Sequence, residues 1–152
     1  MHSDEMDPRV GGLKTFEECE SFARNAIERS LPDLATQAHK RGIELLAESH
    51  GAQTAVERDC LAAVYAYEAV LTKKHGRKTR AGRTWPMIES LGIIPAVERI
   101  VDRPAETDAY FALLNMGLKD YLFEAVILRH TEHFSARAIE RSRSRLAEHN
   151  GD

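Results

Sequence analysis

Six cations crowd into eleven positions of this chain: Lys73, Lys74, Arg77, Lys78, Arg80 and Arg83. Residues 69–88 contain no acid, so the segment carries +6. Residues 1–68 carry −6 and residues 89–152 carry −3, which hides the cluster inside an overall charge of −3. Guanidinium groups grip phosphate bidentately and ammonium groups act as point charges, so the chemistry this segment suits is polyanion binding, with nucleic acid as the partner. Thr79 and Thr84 add hydroxyl donors. A second basic stripe lies near the C-terminus, where Arg137, Arg141 and Arg145 recur every four residues and share a helix face. Side by side, the two segments would make a footprint of nucleic-acid size. Stacking aromatics are scarce in both, with Trp85 alone nearby, so contact would be with the backbone and would carry little sequence preference. Two other uses compete with this one. The segment could be a solvated loop, because salt screens like charges within about 8–10 Å. It could also fold onto acids of its own chain or of a second copy, making the protein a homo-oligomeric interaction module.

That last use has a specific motive. Tyr67-Glu68-Ala69-Val70-Leu71 is echoed by Phe123-Glu124-Ala125-Val126-Ile127, and each sets a glutamate among apolar neighbours. A buried carboxylate without a partner costs roughly several kcal/mol or else takes up a proton. Glu68 and Glu124 are therefore candidates for structural ion pairs, with Arg80 and Arg83 within reach of Glu68.

Other chemistry finds less support. A carboxylate-bridged metal centre in a helical bundle uses Glu-x-x-His pairs, and the chain has none. His130 and His133 are three apart but sit where two helices join, so no metal or cofactor is expected. Gly-x-Ser-x-Gly, a Gly-rich phosphate loop and Cys-x-x-Cys are all missing. Arg143 and His149 have a spacing found in some small helical ribonucleases, a pattern that any Arg-rich tail ending in His would meet. No enzyme is expected on these grounds. A helix-turn-helix over Trp85–Leu91, Gly92 and Pro95–Val101 has suitable lengths, but Glu98 and Asp102 alternate with Arg99 and Arg103 and would repel phosphates.

The elements that must carry these residues are helices. Thr15-Phe16-Glu17-Glu18 and Thr54-Ala55-Val56-Glu57 are capping boxes. Phe16, Cys19, Ala23, Ala26 and Ile27 recur at helical spacing after the first, and Val56, Cys60, Val64, Tyr67 and Leu71 after the second. Pro32 suits a helix start, Gly42 weakens the middle of the helix that follows and allows a break there, and Gly76 suits a helix end. Helices are also expected over 85–91, 95–101, 107–118, 120–130 and 135–148. The expected fold is all-α, a single domain of seven or eight helices over residues 15–152, preceded by a flexible arm at residues 1–14. The chain has 152 residues, 43% of them apolar, enough for one domain of this kind. Two cysteines, Cys19 and Cys60, make no disulfide framework and read as buried thiols. No 18-residue apolar run and no leader-like start are present, so the expected compartment is the cytoplasm.

Gly76-Arg77-Lys78-Thr79-Arg80-Ala81, Arg83-Thr84-Trp85 and Gly92-Ile93-Ile94-Pro95-Ala96-Val97-Glu98-Arg99 resemble a family of small, uncharacterised bacterial helical proteins. The likeness extends through Met116-Gly117-Leu118 and Phe123-Glu124-Ala125-Val126 to Phe134-Ser135. It implies a bacterial cytoplasmic origin and transfers no functional residue.

Overall fold

A computed structural model describes residues 6–104 and 107–150, with the side chains of residues 149 and 150 excepted. Among these residues the fold is all-α, without a strand. The chain groups into two compact units, residues 1–51 and residues 52–152.

The first unit holds α1 (Pro8–Gly11), α2 (Phe16–Glu28) and α3 (Pro32–Ser49). Thr15 caps α2 by accepting from the Glu18 amide, while the Glu18 carboxylate accepts from Lys14 N–H, one residue earlier than a capping box prescribes. Ser30 stands at φ +61°, and Leu31 N–H closes back on the Ala26 carbonyl at 2.8 Å, so the α2–α3 turn is a Schellman-type stop. Ala26, late in α2, shares a cluster with Leu34 and Ala35, early in α3, whereas Phe16 at the start of α2 meets Gly42; the two helices therefore run antiparallel.

Two expectations change here. Gly42 does not break α3, which runs without interruption through it. A Cβ at Gly42 would lie 3.1 Å from Phe16 Cδ1 and 3.2 Å from Cys19 Cβ, so the missing side chain is what lets α2 approach. The arm expected at 1–14 is in part a packed element. Asp7 caps α1, its own N–H donates to Gln37 Oε1 at 2.8 Å, and Val10 is wholly buried against α2 and α3. Residues 1–5 lie outside the described residues.

The second unit is built around α4 (Ala55–His75), followed by α5 (Thr84–Leu91), α6 (Ile93–Asp102), α7 (Thr107–Asn115), α8 (Phe123–Arg129) and α9 (Ala136–Asn150). Thr54 accepts from the Glu57 amide at the start of α4, and Gly76 ends it at φ +73°. The apolar stripe read from the sequence is only part of its buried surface. Leu61, Ala62, Ala63 and Ala66 are buried as well, so α4 is enclosed on several faces. Val56, Cys60 and Ala63 pack with Val97 and Val101 of α6, Val126 and Ile127 of α8, and Ala138 of α9. Both thiols are free and buried, and burial pushes Cys60 up to about 12, which makes it a core residue rather than a nucleophile. The helix expected over 120–130 splits. Leu122 is extended at ψ 141° and separates a 3₁₀ turn, Lys119–Tyr121, from α8. No helix among the described residues is long and apolar enough to cross a membrane.

The Gly42 contact is testable. Alanine has the better helix propensity by about 1 kcal/mol, but its methyl must push against the buried Cβ of Cys19. Urea denaturation of Gly42→Ala is expected to show a net loss of about 1 kcal/mol, and a gain would mean that α2 shifts freely on α3.

Candidate functional site

The basic segment is not a free loop. Glu68, buried in α4, holds it from inside. One carboxylate oxygen, Oε2, accepts from Arg80 Nε at 2.9 Å, from the Ala81 amide at 2.8 Å, and from Trp85 Nε1. The Arg80 guanidinium also stands 5.2 Å from the centre of the Trp85 ring, which itself tilts against Tyr65. Thr79 N–H donates to Thr72 Oγ1 at 3.0 Å, tying the loop to the last turns of α4. Ala81 is buried as a result. Nearby Tyr65 is pushed up, first by burial and then by the Glu68 charge, so it is a neutral phenol at neutral pH.

The six cations therefore divide. Arg80 is turned onto Glu68 with its side chain 57% exposed. Lys73, Lys74, Arg77, Lys78 and Arg83 are exposed, and none has a carboxylate partner among the described residues. They start from the C-terminal end of α4, where cations complement the helix dipole.

The C-terminal stripe corrects the sequence reading. Arg137, Arg141 and Arg145 are not free cations but engage the end of α6, Arg137 from an exposed position. Arg141 donates from Nε to the Val101 carbonyl at 3.1 Å and from Nη2 to the Asp102 carbonyl at 2.9 Å. Arg145 Nη2 donates to the Arg103 carbonyl, and Arg137 Nε to the Asp102 carboxylate. The last carbonyls of a helix have no partner within it, and Arg141 and Arg145 of α9 supply donors to them, while Arg137 holds the Asp102 side chain. Arg145 does more. Its Nη1 lies 3.1 Å from Glu124 Oε2, both side chains being only 12% exposed, so Glu124 has a buried partner in α9. Glu98, whose charge spoils a helix-turn-helix, instead accepts from the Ser135 amide at the start of α9. Glu98 of the helix that would enter a groove is thus engaged by its own chain.

A cavity of about 530 Å³ opens between these two anchored glutamates. The Glu68-pinned loop forms one wall through Ala81, Gly82, Arg83 and Thr84, and the Glu124–Arg145 pair lies on another. Sequence reasoning missed this cavity, because its walls come from six separate segments. The only sequence signal is that Tyr67 and Phe123, the aromatic partners in the two echoed motifs, both line it.

No protein-family model, curated protein or solved structure matches this chain. Its site must be read from its own geometry.

The remaining candidates are quickly placed. His130 Nε2 lies 2.8 Å from Asp59 Oδ2, with Arg129 3.6 Å from the same oxygen, so His130 joins α8 to α4. Among the described residues no three His, Cys, Asp or Glu side chains gather as metal ligands. Arg143 is exposed, and the side chain of His149 lies outside the described residues.

Two predictions follow from these anchors. Glu68→Ala strands the Ala81 amide and the Trp85 indole N–H in the interior and is expected to lower unfolding free energy by about 3 kcal/mol. Arg80→Ala removes only a half-exposed partner and is expected to cost about 1 kcal/mol or less. Equal losses in urea denaturation would show that the ion pair, and not the buried donors, holds the loop. The second concerns acid. The Arg137 hydrogen bond, with the charges of Arg137, Arg141 and Arg145, holds the Asp102 carboxyl below its ordinary 3.8. A lowered folded value means that this group's contribution is complete above 3.8 and fades as pH falls through the folded value. Arg137→Gln is expected to return the Asp102 titration, followed by NMR, toward 3.8 and to flatten the loss of stability below it; an unmoved titration would remove Arg137 as the cause.

Proposed function

We propose that this chain binds a phosphate-rich polyanion, with the nucleic-acid backbone as the ligand of that class, through Lys73, Lys74, Arg77, Lys78 and Arg83. One observation carries the reading. Five cations stand exposed without a carboxylate partner among the described residues, on a segment whose backbone is fixed by Glu68 and Thr72. A fixed segment loses less conformational freedom on binding than a mobile loop does, so its charge is more effective per residue. The surface reads backbone and not bases. Trp85 is half-buried with its N–H committed to Glu68, and no other aromatic side chain belongs to the segment. The footprint is smaller than the sequence suggests, because Arg80 faces Glu68 and Arg137, Arg141 and Arg145 hold α6.

The test is retention on heparin and anisotropy of a labelled duplex across a salt series. Five phosphate contacts predict a slope of about −4.5 in log K against log salt, independent of duplex sequence. Arg77→Ala with Lys78→Ala is expected to reduce that slope by about 2. Absence of retention at low salt overturns the reading. A salt-dependent change in solution mass in that case would assign the cations to the acidic surface of a second copy.

A further inference from the structure

We propose that the cavity beside the basic segment binds a small amphipathic anion, a phosphate or carboxylate head carried on a flat apolar body. This site is separate from the polyanion surface and shares only Arg83 with it. The inference rests on the cavity's size, its lining and its charge.

A volume of about 530 Å³ is that of a small-molecule site and far exceeds a packing flaw. Its interior is apolar, with Leu71 of α4, Ile100 of α6, Leu113 of α7 and Phe123 of α8 contributing to the walls. Three arginines line it, Arg83, Arg103 and Arg145, against one acidic residue, Glu124. Glu124 and Arg145 neutralise each other within the wall at 3.1 Å. Arg83 and Arg103 line the cavity, are exposed, and have no carboxylate partner among the described residues. The cavity is therefore apolar over much of its wall and positive where these two arginines line it.

That arrangement orients a ligand. An anionic head meets Arg83 and Arg103, where a forked guanidinium suits either phosphate or carboxylate. The Glu124–Arg145 pair is already neutralised and offers an anion no free charge, so the apolar body goes against the apolar walls. Tyr110 is held up, first by burial and then by Glu124, so it adds no charge to the lining at neutral pH. The Arg103 backbone carbonyl is what Arg145 uses, which leaves the Arg103 side chain outside the α6–α9 clamp.

Calorimetry with three probes tests this: 1-naphthyl phosphate, 1-naphthoate and the neutral 1-naphthol. Both anions are expected to bind, the phosphate more tightly because two cations face it, and 1-naphthol at least tenfold more weakly than the phosphate. Arg103→Gln, a change on an exposed side chain, is expected to weaken 1-naphthyl phosphate about tenfold. Ala109→Phe narrows the cavity and is expected to abolish binding of all three. Arg77→Ala with Lys78→Ala is expected to leave the naphthyl affinities unchanged while reducing heparin retention, so the two sites fail independently. Binding of 1-naphthol as tight as that of the phosphate, an Arg103→Gln affinity equal to the parent's, or no heat from any probe at about 1 mM overturns the proposal. Should Ala109→Phe lose its cooperative melt, the Arg103→Gln comparison decides alone.

Discussion

One carboxylate oxygen organises the middle of this protein. Glu68 Oε2 accepts a guanidinium, a backbone amide and an indole N–H from three residues within a span of six. Hydrogen bonds to a charged acceptor are worth about 1.5–3 kcal/mol each, and most of that value here sits with the two uncharged donors, which are the less exposed. The consequence reaches past the contact itself. The chain cannot leave α4 as a free loop after Gly76, because Ala81 must return to the helix it has just left. The crowded cations are therefore presented on a bounded turn, and one wall of the cavity is fixed by the same bond.

Glu124 solves the same problem with a different partner. Its arginine comes from α9, and the same guanidinium also serves an α6 carbonyl. The planar fork of Arg145 serves the two acceptors from two separate nitrogens, Nη1 and Nη2, whereas lysine would have to reach both from one. With Arg141 it leaves the end of α6 satisfied by side chains in place of water. The strong positive charge of α9 is thereby spent inside the unit, on carbonyls, on Asp102 and on Glu124. Positive charge along a helix is a poor guide to its ligands when helix ends lie within reach of the side chains.

Local signals in the sequence located most of the helices. Thr15, Thr54 and Ser135 start α2, α4 and α9 with side-chain caps, and Gly76 stops α4 in the left-handed region that glycine favours. These features involve neighbours within a few residues, which is why they can be read. Gly42 misled because its role depends on Cys19 and Phe16, which only tertiary packing brings to it. Leu122 ends a periodic pattern with no Pro or Gly to announce it. At the site, the apolar surroundings of Glu68 and Glu124 showed that each needed a partner, and nearness in the chain offered Arg80 to the first. Arg145 lies 21 residues from Glu124 and shares its spacing with an ordinary basic face, so nothing local distinguishes it. The cavity, made from α4, α6, α7, α8, α9 and the pinned loop, has no local signature at all.

The two proposed sites meet at Arg83, and that geometry limits how strongly they can influence each other. An anion held in the cavity by Arg83 neutralises that guanidinium and removes it from the surface that meets a polyanion. Four of the five cations, Lys73, Lys74, Arg77 and Lys78, lie along the end of α4 and just past Gly76, outside the cavity lining. Losing one contact of five takes away about one unit of salt slope and leaves the larger part of the attraction. Coupling between sites is reciprocal, so a bound polyanion must weaken the small anion by the same factor. The relation is therefore a mild antagonism set by one shared guanidinium. A stronger coupling would require the loop itself to move, and the Glu68 carboxylate, gripping Arg80 and Ala81 a few residues upstream of Arg83, holds it in place.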